Sequence, residues 1–274
     1  MTLLGIDHLV VAVTDVEQKA ADLEAELGLA FTGGGRHETM GTCNRLAFLG
    51  DTYLELIGVF NRALVLSSTA FAVGNAALAM LDAGREGLAT YALATDDIAA
   101  DAWQLRADGS PIGEPVSGSR RRADGETVRW ISAFPALGPQ RAPFLIEHEH
   151  TGAEWGDDAR AARAVFRHPV GGRVRLAALE LPVGDPDAVA AEYLAVVGVR
   201  FAKGHHAVVG EQEIRLLAAA QPADVPVVRF AGEAEAPPLD TVRLGVRWLR
   251  EPAGPTVARP GSPSTSRSGR RAGT

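Results

Sequence analysis

Hydrophobic positions recur along this chain in a fixed order, and that order repeats. Residues 6–13 form an apolar run, rich in β-branched side chains, with the length of one strand. Four apolar residues follow at helical spacing: Val16, Ala20, Leu23 and Leu27. Short apolar runs then alternate with glycine-rich turns. The pattern predicts a strand, a helix and a meander of strands in succession.

The boundaries of the predicted helix recur in two later stretches. Asp15 stands where a helix N-cap belongs, and Gly28 stands where the helix should end. Asp185 and Gly198 take the same places much later in the chain, and the two copies align without insertions or deletions. Asp97 marks another copy between them, which matches through its strand and helix only. Internal repetition at this scale indicates a fold built from one repeated unit.

We therefore predict an α+β fold of repeated βαβββ modules, which pair into a cupped mixed β-sheet with the helices on the outside. One such module cannot bury both faces of its sheet alone, so copies must pair. The predicted organisation is a domain over residues 1–150, with modules at 3–59 and 87–150 joined by a helical linker, a connector over 151–173, a third, degenerate module over 174–250 and a disordered tail over 251–274.

Composition narrows the classes of partner. The chain has a net charge of −7, with 46% hydrophobic and 22% charged residues, as in ordinary globular proteins. An acidic body without a basic stripe argues against a nucleic-acid partner. Cys43 is the only cysteine, which fits a reducing compartment. No apolar stretch predicts a signal peptide or a membrane span, so we expect a cytoplasmic protein that does not bind membranes.

Three segments carry a resemblance to a known family. The first module opens on Gly-Ile-Asp-His-Leu-Val-Val-Ala-Val over residues 5–13, and Tyr-Leu-Glu-Leu-Ile follows at 53–57. The second module closes on Phe-Leu-Ile-Glu at 144–147. Together with the repetition, these segments resemble the vicinal oxygen chelate superfamily, which includes glyoxalases, bleomycin-resistance proteins and dioxygenases. More narrowly they resemble a bacterial glyoxalase-like subgroup.

The resemblance implies a divalent-metal site on the first and last strands of two paired modules. The residues of this chain at the four positions are His8, Glu55, Thr90 and Glu147. His8, Glu55 and Glu147 are thus the predicted ligands, and one imidazole with two carboxylates suits Zn, Ni, Mn, Fe or Co. Thr90 departs from the many relatives that place a second ligand, often histidine, at its position.

The implied function is a metal-dependent lyase or isomerase acting on a small oxygen-bearing metabolite. Glu55 or Glu147 would serve as the catalytic base. The candidate substrate-binding residues lie near the expected cleft and are Arg36, His37, Asn44, Thr90 and Trp130. The alternatives are a metal-free binding or resistance protein of the same fold, and a scaffold that has lost its chemistry. A homodimer is left open.

Each candidate residue also has a structural interpretation. His8 in an apolar strand is often a satisfied core histidine, and Glu55 could pair with Arg36 or Arg45 instead of a metal. His37 is expected in a solvated loop, and His148 at a strand end that reaches solvent. The third module has Ala178 and Arg215 where the first has His8 and Glu55, so it is expected to serve structure or assembly.

Overall fold

The computed structural model describes residues 3–68, 72–135, 142–221, 224–233 and 236–251. Strands outnumber helices, and the helices lie between groups of strands along the chain. In order they are β1 (Gly5–Ala12), α1 (Val16–Leu27), β2 (Gly33–His37), β3 (Thr42–Leu49), β4 (Thr52–Val59), α2 (Arg62–Ser67), α3 (Ala72–Asp82), β5 (Gly87–Ala94), α4 (Ile98–Ala107), β6 (Val116–Arg122), β7 (Thr127–Ala133), β8 (Phe144–His148), α5 (Gly152–Trp155), α6 (Asp157–Ala164), β9 (Val174–Val183), α7 (Pro186–Val197), β10 (His206–Val209), β11 (Gln212–Ala218), β12 (Val227–Gly232), β13 (Leu239–Arg243) and β14 (Val246–Glu251).

Helices α1, α4 and α7 begin at the predicted caps, and α1 and α7 end at the predicted glycines. Asp15 accepts hydrogen bonds from the backbone N–H groups of Glu17 and Gln18, which have no partner inside the helix. Gly28 ends α1 with φ of 66°, a left-handed conformation that glycine adopts without the strain a side chain would bring. The apolar face of α1, predicted from its spacing, is buried. Asp97 and Asp185 cap α4 and α7 in the same way.

The first eight strands form a closed barrel in the order β1-β4-β3-β2-β6-β7-β8-β5. Within each module the first and last strands are parallel neighbours, β1 beside β4 and β5 beside β8. The two modules join through antiparallel pairing of β1 with β5. The α+β class and the paired βαβββ modules are therefore confirmed.

A second junction closes the predicted cup into a barrel. Strand β2 pairs with β6, with Gly35 opposite Arg122. A side chain at Gly35 would collide with the backbone carbonyl of Arg121, so glycine permits the close approach of the two strands. Gly33–Gly35 is one of the glycine-rich stretches predicted as turns, but it belongs to strand β2. Glycine serves strand packing here, which a glycine-rich pattern does not reveal.

The rest of the described chain builds a six-stranded sheet in the order β10-β11-β9-β12-β14-β13. Its pairing repeats that of the barrel: β9 is parallel to β11, β12 is parallel to β14, and β9 and β12 are antiparallel neighbours. Strands β12 to β14 thus take the places of β5, β7 and β8, without a helix. The predicted single module over 174–250 contains one module and a second, helix-less half.

One hydrophobic core lies between the barrel and the second sheet. It contains Leu9 and Leu93 from the outer face of the barrel together with Leu179 and Trp248 from the second sheet. Polar bonds span the same interface: Arg250 Nη1 donates to the carbonyl of Leu27 at 2.7 Å. The second sheet therefore supports the barrel wall from outside.

A hydroxyl pair at this interface gives a test of the packing. The hydroxyl of Tyr91 donates to that of Tyr193 at 2.9 Å, and both side chains are buried. We expect Tyr193→Phe to lower the free energy of unfolding by about 1–3 kcal/mol, because it leaves a buried hydroxyl without a partner. The double variant Tyr91→Phe/Tyr193→Phe should regain most of that loss in urea unfolding. If the double variant lost as much stability as Tyr193→Phe or more, a direct hydrogen bond between the two hydroxyls would be contradicted.

Two further predictions concern the C-terminal tail and membrane-spanning helices. The predicted tail lies outside the described residues except for Glu251, which ends β14. None of the helices in the described ranges is both long and apolar enough to span a lipid bilayer.

Candidate functional site

The interior of the barrel holds a small, partly open cavity. Strand alternation directs every second side chain inward, and aromatic and aliphatic side chains form much of the wall. The cavity volume is about 40 Å³, which is room for roughly three water molecules at about 10–15 Å³ each. Its polar lining consists of His8, His37, Asn44, Tyr53, Glu55, Arg120, Trp130, Ser132, His148 and Glu154.

Asp7 holds two imidazoles at one end of this cavity. Its Oδ1 accepts from His8 Nδ1 at 2.6 Å and from His148 Nε2 at 3.1 Å. Burial would raise the pKa of Asp7, but the two imidazoles hold that pKa well below its usual range. Because an ionised carboxylate only accepts hydrogen bonds, Nδ1 of His8 carries the hydrogen and Nε2 is left for the cavity.

A shift in strand register explains why consecutive residues take part. The pairing of β1 with β5 shifts between Ile6 and His8, and Asp7 and His8 are both buried. Strict alternation would turn Asp7 away from His8, so the sequence analysis missed it. His8 also stacks on Tyr53, with ring centroids 4.5 Å apart. The imidazole is therefore fixed in both position and orientation.

Glu55 faces the free nitrogen of His8. Its Oε1 accepts from Asn44 Nδ2 at 2.6 Å, and Asn44 Oδ1 accepts from the backbone N–H of Gly35 at 2.9 Å. Its Oε2 lies 3.5 Å from His8 Nε2. Glu55 is 6% exposed, and its partners are Asn44 and His8, not Arg36 or Arg45 as one interpretation of the sequence suggested. The result is a buried carboxylate and a buried imidazole held close together.

Arg120 lies on the opposite wall of the barrel. Strand β6 is four places from β1 in the closed order, whichever way round the barrel is followed. Arg120 is 3% exposed, and its Nη2 donates to Oε1 of the equally buried Glu154. Within the described part of the chain, Arg120 Nη1 and Ser132 Oγ have no hydrogen-bond partner. Both residues line the cavity.

His37 is buried in the wall, which corrects the expectation of a solvated loop histidine. Its Nδ1 lies 2.8 Å from Thr42 Oγ1, and its ring packs edge-on against Trp130. Burial, followed by the positive charge of Arg120, lowers the pKa of His37 to about 3. His37 is therefore neutral at physiological pH.

The predicted connector contributes to the cavity wall. Helix α5 brings Glu154 to Arg120, and Trp155 stacks on His148 with ring centroids 3.8 Å apart. His148 is consequently buried and lines the cavity, not the solvent-reaching strand end that the sequence suggested. A single glutamate and tryptophan in a polar connector carry no periodic signal, so the sequence analysis missed their role.

The predicted site residues divide into two groups. His8, Glu55, His37, Asn44 and Trp130 line one cavity, whereas Glu147, Thr90 and Arg36 do not. Glu147 Oε2 accepts from the backbone N–H of Ile98 at 2.9 Å, at the first turn of α4 outside the barrel. Arg36 is exposed, with its guanidinium 3.7 Å from the centroid of the Phe60 ring. Thr90 is half-buried in β5.

Strand register explains the error at Glu147. In the first module Glu55 of β4 pairs with Val10 of β1. In the second module Ala92 corresponds to Val10, because each lies five residues before the cap of the following helix, Asp97 and Asp15 respectively. Ala92 pairs with Phe144, so Phe144 and not Glu147 occupies the position of Glu55. The Phe144 ring packs edge-on against His8, with centroids 5.5 Å apart. A hydrocarbon ring stands where the prediction required a carboxylate.

The residues present therefore do not fit the predicted metal centre. With Phe144 and Thr90 at two of the four positions, His8 and Glu55 remain as donors. Across the described ranges, no three or more His, Cys, Asp or Glu side chains are grouped so that they could hold a metal ion. The set His8, Glu55 and Glu147 is corrected to a pair, which is fewer donors than a catalytic zinc site uses.

The second sheet has lost the equivalent pair, as the sequence predicted. Glu180 pairs with Arg215 in the register that joins Val10 to Glu55 in the barrel. Arg215 thus takes the place of Glu55, and its Nη1 donates to Glu180 at 2.9 Å. An ion pair replaces the acid–imidazole pair.

Comparison with known proteins places the chain in a family. The family whose sequence model matches is described as a glyoxalase-like domain, and the match covers residues 6–197, more than half of the chain. The chain belongs to the glyoxalase-like domain family. The resemblance to the vicinal oxygen chelate superfamily is thereby confirmed. No curated protein matches the chain.

Solved structures show how far the fold extends. A hypothetical protein from Staphylococcus aureus is 16% identical, with a TM-score of 0.73, and the alignment covers 90% of this chain and 99% of that one. The barrel and the second sheet thus occur together in another protein. Methylmalonyl-CoA epimerases from Mycobacterium tuberculosis and Streptomyces coelicolor, the latter in complex with 2-nitronate-propionyl-CoA, are 18% and 23% identical, with TM-scores of 0.40. They cover 55% and 53% of this chain, and the matches span 90% and 97% of their own chains.

Proposed function

We propose that this glyoxalase-like protein is an isomerase or lyase that moves a proton within a small oxygen-bearing metabolite. The observation that carries the proposal is the pair of buried groups in the cavity, with His8 Nε2 and Glu55 Oε2 3.5 Å apart. Asp7 fixes the orientation of His8, and Asn44 fixes that of Glu55. A catalytic acid–base pair needs this fixed geometry, with each group oriented by a further residue.

The proton-transfer step follows from the geometry. Glu55 accepts a proton from the carbon next to a carbonyl group; the C–H bond breaks, and its electron pair forms a C=C bond while the carbonyl oxygen becomes an enolate oxygen. His8 Nε2, within reach of Glu55, exchanges that proton and delivers it to the neighbouring carbon or oxygen. One proton leaves the substrate and one proton returns to it, so the step balances without a co-reactant. While it is held on Glu55 or His8 the proton exchanges with water, so a reaction in D₂O labels the position to which it returns.

The metal-dependent form of this activity, with Zn, Ni, Mn, Fe or Co, has weaker support from the donor set. Of the three predicted metal ligands, His8 and Glu55 line the cavity and Glu147 does not. The proposed proton transfer therefore uses no metal. A metal-free binding or resistance protein is the other candidate, because the cavity is concave and partly apolar. The cytoplasmic location and the homodimer remain predictions.

Deuterium exchange tests the proposal. Full-length protein, purified without a metal-affinity tag and dialysed against a chelator, is incubated in D₂O with a panel of small 2-hydroxy- and 2-oxo-carbonyl compounds. We expect NMR to show accelerated deuterium incorporation beside the carbonyl group for at least one compound, and His8→Gln to lose that acceleration. Exchange that appears only when a divalent metal is added would overturn the metal-free mechanism. Tight binding without exchange would support a binding protein instead.

A further inference from the structure

Arg120 is a buried cation whose hydrogen-bonding capacity is only partly used. Its guanidinium offers several N–H donors in a planar fork, and burial makes an unused donor unfavourable. Nη2 donates to Glu154, whereas Nη1 has no partner among the residues that the structure describes. A charged donor in this state, on the wall of a cavity, is suited to an acceptor that enters from outside the protein.

The chemistry of the missing acceptor follows from its neighbours. Glu154 divides its two oxygens between Arg120 and Arg122, so Arg120 has one carboxylate oxygen where a bidentate pair would supply two. Of the residues lining the cavity, all within the described ranges, Arg120 alone has a permanent positive charge. A carboxylate satisfies the open donor of Arg120 and this charge. Ser132 lines the same cavity, but it pairs with Val116, four residues from Arg120 along β6, and so lies apart from this position.

The position of Arg120 orients such a ligand. Strand β6 stands opposite β1 in the barrel, so Arg120 and His8 face each other across the cavity. Arg120, His8 and Glu55 all line this small cavity of about 40 Å³. A carboxylate bound at Arg120 would therefore direct the carbon chain attached to it, with its acidic C–H group, towards His8 and Glu55.

We propose that Arg120 forms a carboxylate subsite and that the substrate is a small 2-oxo or 2-hydroxy carboxylic acid. This inference rests on the proposed function, since it names the substrate class of the same cavity. Arg120 binds and orients the acid, and Glu55 and His8 move its proton.

The experiment compares two ligands of nearly equal shape that differ in charge. Calorimetric titration of the full-length protein with pyruvate and with its neutral amide, pyruvamide, measures the preference for a carboxylate. We expect the wild-type protein to bind pyruvate at least about tenfold more tightly than pyruvamide. Arg120→Gln should remove the preference. Arg121→Gln, which changes the exposed neighbouring arginine, is the matched control and should keep it.

A second variant distinguishes loss of the subsite from misfolding. Because Arg120→Gln leaves Glu154 with one cation fewer, Arg120→Gln/Glu154→Gln removes both buried charges and should also lose the preference. Equal binding of the two ligands by wild-type protein, or a preference that survives in the double variant, would overturn the subsite. Glu55→Gln should keep the preference while losing proton exchange. Failure of the subsite is thus separable from failure of the acid–base pair.

Discussion

Replacing Glu55 with glutamine should slow proton exchange by about 10²–10⁴-fold, the usual contribution of a positioned general base. The amide matches the carboxylate in shape and keeps an oxygen that can accept the hydrogen bond from Asn44, but it cannot take up a proton. The cavity and the fold should therefore persist. Deuterium incorporation by NMR gives the rate, and urea unfolding shows whether stability has changed.

Glu147→Gln is the matched control for this experiment. Both glutamates lie near the end of a module and were predicted as ligands and bases, but Glu147 caps α4 outside the cavity. We expect Glu147→Gln to leave the exchange rate within about twofold of wild type, because the changed group does not line the cavity. A large loss in Glu147→Gln together with a normal rate in Glu55→Gln would contradict the assignment of the base.

The fold was predictable to the extent that it repeats local rules. Helix caps at Asp15, Asp97 and Asp185 fix where three helices begin, and the apolar spacing of α1 fixes its buried face. Local signals of this kind need no knowledge of distant contacts. The closure of the barrel through Gly35 and the helix-less half at β12 to β14 depend on pairing between distant segments. Local patterns in the sequence do not reveal such long-range pairing.

The site was predictable only where strand register is simple. His8 and Glu55 lie on regular alternating positions, and both line the cavity as expected. Glu147 failed because the module repeat places Phe144, three residues earlier, at the equivalent position. Asp7 was missed because a register shift buries it beside His8. Arg120 stands in a run of three arginines, a pattern typical of a solvated strand, and only the closed barrel turns it inward.

Asp7 connects the proposed catalytic pair to the stability of the barrel. Its carboxylate is 6% exposed and serves two imidazoles, one from each module. We expect Asp7→Asn to lower the free energy of unfolding by about 3–5 kcal/mol at neutral pH, as is usual when one partner of a buried charged network is removed. Urea unfolding measures this loss. A change below about 1 kcal/mol would contradict a central role for Asp7.

The same residue predicts how stability depends on pH. The pKa of Asp7 in the folded protein lies well below the ordinary value of 3.8, so the unfolded chain binds its proton first as the pH falls. The contribution of Asp7 is therefore fully present above about pH 5 and is lost progressively from about pH 4 downwards. In Asp7→Asn this group no longer titrates, so the gap in stability between wild type and variant should narrow on acidification. Unfolding curves of both proteins between pH 7 and pH 3 measure that gap. A constant gap would show that the side chain supports the barrel by its shape and not by its charge.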